Sequence, residues 1–191
     1  MATLQTSDTR ERILHATLRV IAEHGVGAVS NRRVAAEADV ALGSLTYHFP
    51  SQTTLLRESL MLHVAEEVTR LEAVAASLRA SKPTPADAAA EVERVVRASA
   101  GDLEPIAELE LHLQAARDPE LRDASRRCFE AYENFAAAAL EALGVPDAAR
   151  HAPSIVALMS GLALRRLGTG EREGTGTADA LLTLIRGAGA A

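Results

Sequence analysis

Between Ser30 and Phe49 the chain sets two short helical patterns only three residues apart, a spacing that few folds accommodate. Asn31 to Ala38 gathers Val34, Ala35 and Ala38 on one side, with Ser30 in place as an N-cap. Leu42 to Phe49 then puts Leu45 and Phe49 four apart on one face, and Asp39-Val40-Ala41 separates the two runs. Runs this short need a longer partner to pack against, and one lies immediately upstream. Thr9 to His24 carries Ile13, Thr17, Val20, Ile21 and His24 at spacings of three and four, and Gly25-Val26-Gly27 stops it. A long helix followed by two short ones joined by a tight turn is a helix-turn-helix.

Individual positions fit that geometry. Ala35 is small where the short helices cross, and Val34, Val40 and Leu45 supply the apolar contacts that set the crossing angle. Asp39 stands where the turn requires a left-handed backbone, which glycine accepts best and Asn or Asp next best. Gly43 removes a side chain from the first turn of the second short helix, where a backbone could approach DNA. A helical hairpin that merely packs is the competing reading, but it needs none of these together.

The rest of the chain reads as helix as well. Aromatic residues make up 3% of it and Trp is absent, which disfavours strands. Ser51 caps a long helix through Leu55, Leu56, Leu60 and His63 or Val64 to about Ala80. Further starts are expected at Thr84-Pro85, Asp102 with Pro105, Asp118-Pro119-Glu120 and Pro146-Asp147, and stops at Gly101, Gly144 and Gly168. Gly168 to Thr177 reads as a loop, after which Thr177 caps a last short helix. The expectation is an all-α chain of about nine helices, with a helix-turn-helix domain over 1–50 and a helical ligand-binding and dimerisation domain over 51–191. Lone Cys128 excludes an internal disulfide, no apolar run is long enough to span a bilayer, and the cytoplasm is the expected compartment. The net charge of −6 belongs wholly to residues 57–191, since five arginines balance five acids in residues 1–56. A neutral head on an acidic body is compatible with DNA binding if the body faces away.

The stretch Val34 to Leu56 (VAAEADVALGSLTYHFPSQTTLL) resembles the operator-reading segment of the tetracycline-repressor-like (TetR) family of bacterial transcriptional regulators. Gly43, Leu45, Tyr47, His48, Phe49, Pro50 and Ser51 fall on the family pattern. Asp39, Thr46 and Gln52 depart from it, standing where glycine, an aromatic and a phosphate-binding lysine are usual. The resemblance implies that the second short helix enters the major groove, with Tyr47 and His48 at or beside the backbone and the next helix aiming its N-terminus at a phosphate. His48 is equally suited to capping carbonyls. From the residues themselves, Ser30, Ser51, Thr53 and the Tyr47 hydroxyl are phosphate-directed donors, with Arg32 and Arg33 adding charge. Ala41, Leu42, Ser44 and Thr46 are the base-facing candidates, small enough that specificity should rest partly on DNA shape. The expected DNA-binding set is Ser30, Arg32, Leu42, Gly43, Ser44, Thr46, Tyr47, His48, Ser51 and Gln52.

In the body, Ala157, Ser160, Gly161 and Leu164 share one face of a late helix whose other face carries Ile155, Leu158, Met159 and Leu162. Such a helix is either wholly internal or seated against its copy in a second chain, with Leu181 and Ile185 of the last helix completing a homodimer contact. The resemblance favours the dimer. An internal pocket for a small apolar or amphipathic ligand is expected, with Met61, His63, Glu108, His112, Tyr132 and Met159 as lining candidates. The helix after Ser51 would link that pocket to the head through Met61, His63 and Val64. The stripe Glu104, Glu108 and His112, with His63 and Glu66, raises a different possibility: a carboxylate-metal helical bundle enzyme without DNA binding. Its spacing is not that of such sites, so no metal, cofactor or catalytic residue is expected. Cys128, beside Phe129, Tyr132 and Phe135, reads as a core residue.

Overall fold

A computed structural model describes residues 2–80, 84–98, 104–171 and 176–189, and every regular element among them is helical. Helix α1 (Ala2–His24) leads into a 3-10 turn (Val26–Ala28). There follow α2 (Asn31–Glu37), α3 (Leu42–His48), α4 (Gln52–Ala80), α5 (Pro85–Ala98), α6 (Glu104–Ala115), α7 (Pro119–Ala142), α8 (Ala148–Thr169) and α9 (Thr177–Gly189). No helix among the described residues is long and apolar enough to cross a membrane.

Local chemistry sets most of the ends. Ser30 Oγ accepts the N–H of Arg33 at 3.3 Å, and Ser51 Oγ accepts that of Thr54 at 3.0 Å. Thr84 and Asp87 cap each other reciprocally, the hydroxyl accepting the Asp87 N–H at 3.2 Å and the carboxylate the Thr84 N–H at 2.9 Å. Asp118 Oδ1 takes the N–H groups of Glu120 and Leu121. Four expectations need correction. Helix α1 begins at Ala2 rather than Thr9, because the upstream residues contain no Gly or Pro to break it. Helix α8 runs through Gly168 and ends at Gly170, whose φ of 71° supplies the left-handed stop. Thr177 is the first residue inside α9, and Gly176 is the cap, its carbonyl accepting the Ala180 N–H at 3.0 Å. Asp147 starts α8 from a left-handed conformation with no side-chain cap bond. The expected punctuation at Gly101 and Asp102 lies outside the described residues.

By contact the chain falls into two units, Met1–Ala65 with Leu103–Cys128, and Glu66–Asp102 with Phe129–Ala191. In the first, α1 packs on α2, α3, the 3-10 turn and α6. It therefore buries more than one stripe: Ile13, Thr17, Val20 and Ile21 are covered, and so are Leu14 and Leu18 at 2% exposure each. His24, expected on the buried stripe, is exposed at the helix end beside Glu23. Val34, Ala35, Leu45, Phe49, Leu55, Leu56 and Leu60 complete the head's core, and Ala107, Leu111, Ala115, Leu121 and Ala124 are buried on α6 and α7. In the second unit α9 packs on α5 and α8. Its core comprises Ala136, Ala152 and Val156 with Phe129 and Tyr132 against them, and Leu140, Ala148 and Ile185.

Candidate functional site

The turn between α2 and α3 has the backbone anticipated for it, with Asp39 at φ 52°. Buried Leu45 and Phe49 hold α3 down by one face, which leaves its other face outward. Tyr47 is 82% exposed and Leu42 42% exposed, so both side chains stand on that outward face. Among the described residues a Cβ on Gly43 would meet nothing within 4 Å, so packing among them does not require glycine there. Ser44 is half-buried, and the Thr46 hydroxyl turns back to the carbonyls of Leu42 and Gly43 at 3.3 and 3.1 Å. The His48 ring lies edge-on to Tyr47 at 5.3 Å and tilted to Phe49 at 6.3 Å. Gln52 directs its amide nitrogen inward to the Val29 carbonyl at 3.0 Å.

Of the head's five arginines, four are engaged within the chain. Arg10 pairs with Glu58 and lies over the Phe49 ring at 5.5 Å, and Arg19 pairs with Glu37 at 2.7 Å. Arg12 donates to the carbonyls of Ala38 and Asp39, and Arg33 reaches the Ala28 carbonyl at 3.4 Å. Arg32 is exposed and makes no hydrogen bond or ion pair among the described residues, which leaves its charge available to a phosphate.

Four of the six pocket candidates, Met61, His63, Glu108 and His112, belong to the same unit, and the two histidines meet Glu108 inside it. His63 Nε2 lies 3.3 Å from Glu108 Oε2, and His112 Nε2 lies 3.5 Å from Glu108 Oε1. His112 Nδ1 is 2.7 Å from the hydroxyl of Ser125, and Cys128 Sγ is 3.9 Å from Met61 Sδ. Burial opposes the charge on Glu108, but the imidazoles of His112 and His63 beside its two oxygens outweigh it and bring the carboxyl down to about 2. Burial, and then the Glu108 charge, push the Cys128 thiol up to about 12, which fits a packing role rather than a reactive one. Among the described residues no group of three donors has the geometry to hold a metal ion. Tyr132 and Met159 belong to the second unit, where Tyr132 packs against the Ala136 cluster and Met159 is half-buried.

On α8 the expected contact face is largely uncovered in the single chain. Ala157 and Gly161 are exposed, Ser160 is half-buried, and Leu164 is 58% exposed. Leu181 and Ile185 are not on such a face. They form the apolar side of α9 and are 5% and 9% exposed, Ile185 packing on Leu140 and Ala148 of its own chain.

Three engaged residues escaped the sequence reading: Arg12, Ser125 and Glu110, whose carboxylate accepts the Val26 N–H at 2.6 Å. Ser125 had a signal, being a polar residue on the otherwise apolar stripe of Leu121, Ala124 and Cys128. The other two had none, since their partners are remote in sequence.

Comparison with known proteins agrees with this geometry. The family model "Tetracyclin repressor-like, C-terminal domain" matches residues 83–190, more than half of the chain, and "Bacterial regulatory proteins, tetR family" matches residues 13–59. The HTH-type transcriptional repressor KstR of Mycolicibacterium smegmatis is 47% identical over 53 residues, 28% of this chain and only 26% of that repressor's length. The multidrug binding protein EbrR, solved with ethidium, is 32% identical with a TM-score of 0.73, over 93% of this chain and 98% of that one. EbrR has also been solved with malachite green. A TetR-family member from Streptomyces coelicolor A3 is 31% identical with a TM-score of 0.74, over the same shares of the two chains.

Proposed function

Because the chain belongs to the tetracycline-repressor-like (TetR) family of bacterial regulators, we propose that it is a ligand-responsive transcriptional repressor. Residues 1–50 form its DNA-binding domain and 51–191 its ligand-binding and dimerisation domain. It binds a pseudo-palindromic operator as a homodimer, α3 lying in the major groove, and leaves it when a small amphipathic molecule occupies the body. The observation that carries the reading is the outward row of α3, Leu42, Gly43, Thr46 and Tyr47, held out by the buried Leu45 and Phe49. The reading as a helical-bundle enzyme is set aside on family membership.

The ligand class rests on the likeness to EbrR, whose bound ethidium and malachite green are aromatic organic cations. A half-buried, ionised Glu108 would offer such a cation a counter-charge, and Met61, which touches Cys128 in the same unit, a soft apolar contact. A second copy of the chain would cover the α8 face of Ala157, Ser160, Gly161 and Leu164. Two heads joined in this way reach successive major grooves only when their separation matches one helical turn of DNA, ~34 to 36 Å, or a multiple. A ligand that prefers the mismatched state 100-fold shifts the equilibrium by roughly 2.7 kcal/mol, enough to vacate a moderately occupied operator.

The test uses duplex DNA from immediately upstream of the protein's own gene in a mobility-shift titration, with malachite green as the probe ligand. A retarded complex that weakens with salt and dissociates as the dye is added is the expected result. No complex even at about 50 mM salt, where phosphate contacts are strongest, would overturn the proposal.

A further inference from the structure

The stop of α2 and the stop of α7 are built alike, and one difference between them assigns a role to Arg12. At α7 the Val145 N–H reaches the Leu140 carbonyl at 3.0 Å and the Gly144 N–H reaches that of Glu141 at 2.9 Å, with Gly144 at φ +74°. At α2 the Val40 N–H reaches the Ala35 carbonyl at 3.0 Å and the Asp39 N–H reaches that of Ala36 at 3.2 Å, with Asp39 at φ 52°. Both are the same two-bond helix stop through a left-handed residue. Glycine takes that conformation freely, whereas a Cβ opposes it. The turn that aims α3 is therefore closed through a residue that resists its geometry.

What α2 has in addition is Arg12. Its Nη2 donates to the Ala38 carbonyl at 2.7 Å and to the Asp39 carbonyl at 3.0 Å. The first is the carbonyl of the C-cap and the second that of the left-handed residue just past it, and a cation there also faces the negative end of the helix. At α7, among the described residues, no side chain donates to the carbonyl of Leu143 or Gly144. Arg19 reinforces the α2 stop more weakly, with Nη2 3.5 Å from the Glu37 carbonyl.

We infer that Arg12 is the positioning residue of the reading helix: it locks the left-handed turn at Asp39, and so the angle of α3, without touching DNA itself. Its effect on DNA rests on the proposal that α3 reads the groove, while its effect on the turn does not. The head's arginines thus divide in function, Arg32 facing outward to phosphate and Arg12 facing inward to the turn.

The experiment uses the full chain carrying Arg12→Ala, Asp39→Gly, or both. Hydrogen exchange at the Val40 amide reports the turn, and binding to a random-sequence duplex of about 30 base pairs over a salt series reports phosphate contacts. Arg12→Ala should speed Val40 exchange at least about ten-fold relative to core amides such as Ile21, and Asp39→Gly in the same chain should restore it, because glycine closes the turn unaided. The salt slope on the random duplex should not change. A slope reduced by about 0.9, with Val40 exchange unaltered, would make Arg12 a phosphate contact and overturn the assignment. Failure of Asp39→Gly to restore exchange would overturn it as well. Should Arg12→Ala not fold, Arg12→Lys keeps the cation but not the planar guanidinium that reaches both carbonyls, and should give an intermediate acceleration that Asp39→Gly again removes. If the unaltered chain ignores DNA at low salt, the repressor proposal fails while the exchange comparison still decides the role of Arg12.

Discussion

The carboxylate of Glu110, on α6, accepts the backbone N–H of Val26 at 2.6 Å across 84 positions of sequence. Val26 opens the 3-10 turn just after α1, so α6 is tied to the corner of the head by a charge-assisted bond. Glu110→Ala leaves that partly buried N–H without its acceptor and should lower stability by about 1 to 3 kcal/mol, whereas Glu110→Gln keeps an acceptor and should lose less. Urea unfolding of the two variants checks the order. Equal stability of Glu110→Ala and the unaltered chain would mean that the bond contributes nothing net.

Glu108 makes the protein acid-sensitive in a defined window. Its carboxyl lies at about 2 in the folded chain against an ordinary value of 4.5, so the unfolded chain binds the proton first as pH falls. The stability it contributes is therefore whole above about pH 4.5 and is lost as pH drops towards 2. The full linkage is on the order of 3 kcal/mol. Glu108→Gln cannot titrate, and its urea midpoint should fall less between pH 5 and pH 3, by about 1 to 2 kcal/mol of relative stability, than that of the unaltered chain. Parallel pH profiles would remove Glu108 as the source.

On DNA, three kinds of substitution should separate. Arg32→Ala deletes an unengaged cation and should reduce the slope of log affinity against log salt by about 0.9. Tyr47→Phe should weaken all duplexes alike through one lost phosphate-directed hydroxyl. Leu42→Ala or Ser44→Ala should reorder the preference among operator variants, each good base contact being worth on the order of 1 to 3 kcal/mol. If Leu42 and Ser44 substitutions preserve the ranking, α3 is not reading bases.

The proposed dimer face is open to a test that spares the fold. Gly161 is exposed and, among the described residues, a Cβ there meets nothing within 4 Å, so Gly161→Leu should be tolerated by the single chain yet overpack a contact with a second copy. Sedimentation should show a dimer for the unaltered protein at micromolar concentration and a shift towards monomer for Gly161→Leu, with an unchanged helical spectrum. A monomeric unaltered protein would defeat the dimer.

What was legible in the sequence is what local chemistry decides. The left-handed turn at Asp39, the caps at Ser30, Ser51 and Asp118, and the apolar spacing of Ile13, Thr17, Val20 and Ile21 all involve partners a few residues apart. Glycine punctuation was legible only to within a residue or two, because Gly168 and Gly170 offer the same freedom and the left-handed stop falls on the later one. Amphipathicity reports that a face is buried, not by whom. Leu181 and Ile185 therefore looked suited to a partner chain, yet they close the core of their own. The contacts of Arg12 with Asp39 and of Glu110 with Val26 had no local trace, since folding alone brings their ends together. Histidines and Glu108 were legible as a set because α6 presents Glu108 and His112 four apart, but Ser125 entered the cluster from another helix.

Burial of α1 on more than one side has a consequence for how the protein folds. Leu14 and Leu18 are covered although they lie off the stripe that serves the short helices, and α6, which packs on α1, comes from far along the chain. The contact of α1 with α6 is non-local, so closing the unit that holds both carries a loop-closure cost over the intervening residues 66–102. The amides of α1 and of α6 should accordingly exchange with a common opening free energy, as one cooperative block, and a fragment cut after the reading helix should expose apolar surface and associate rather than persist as a small independent domain.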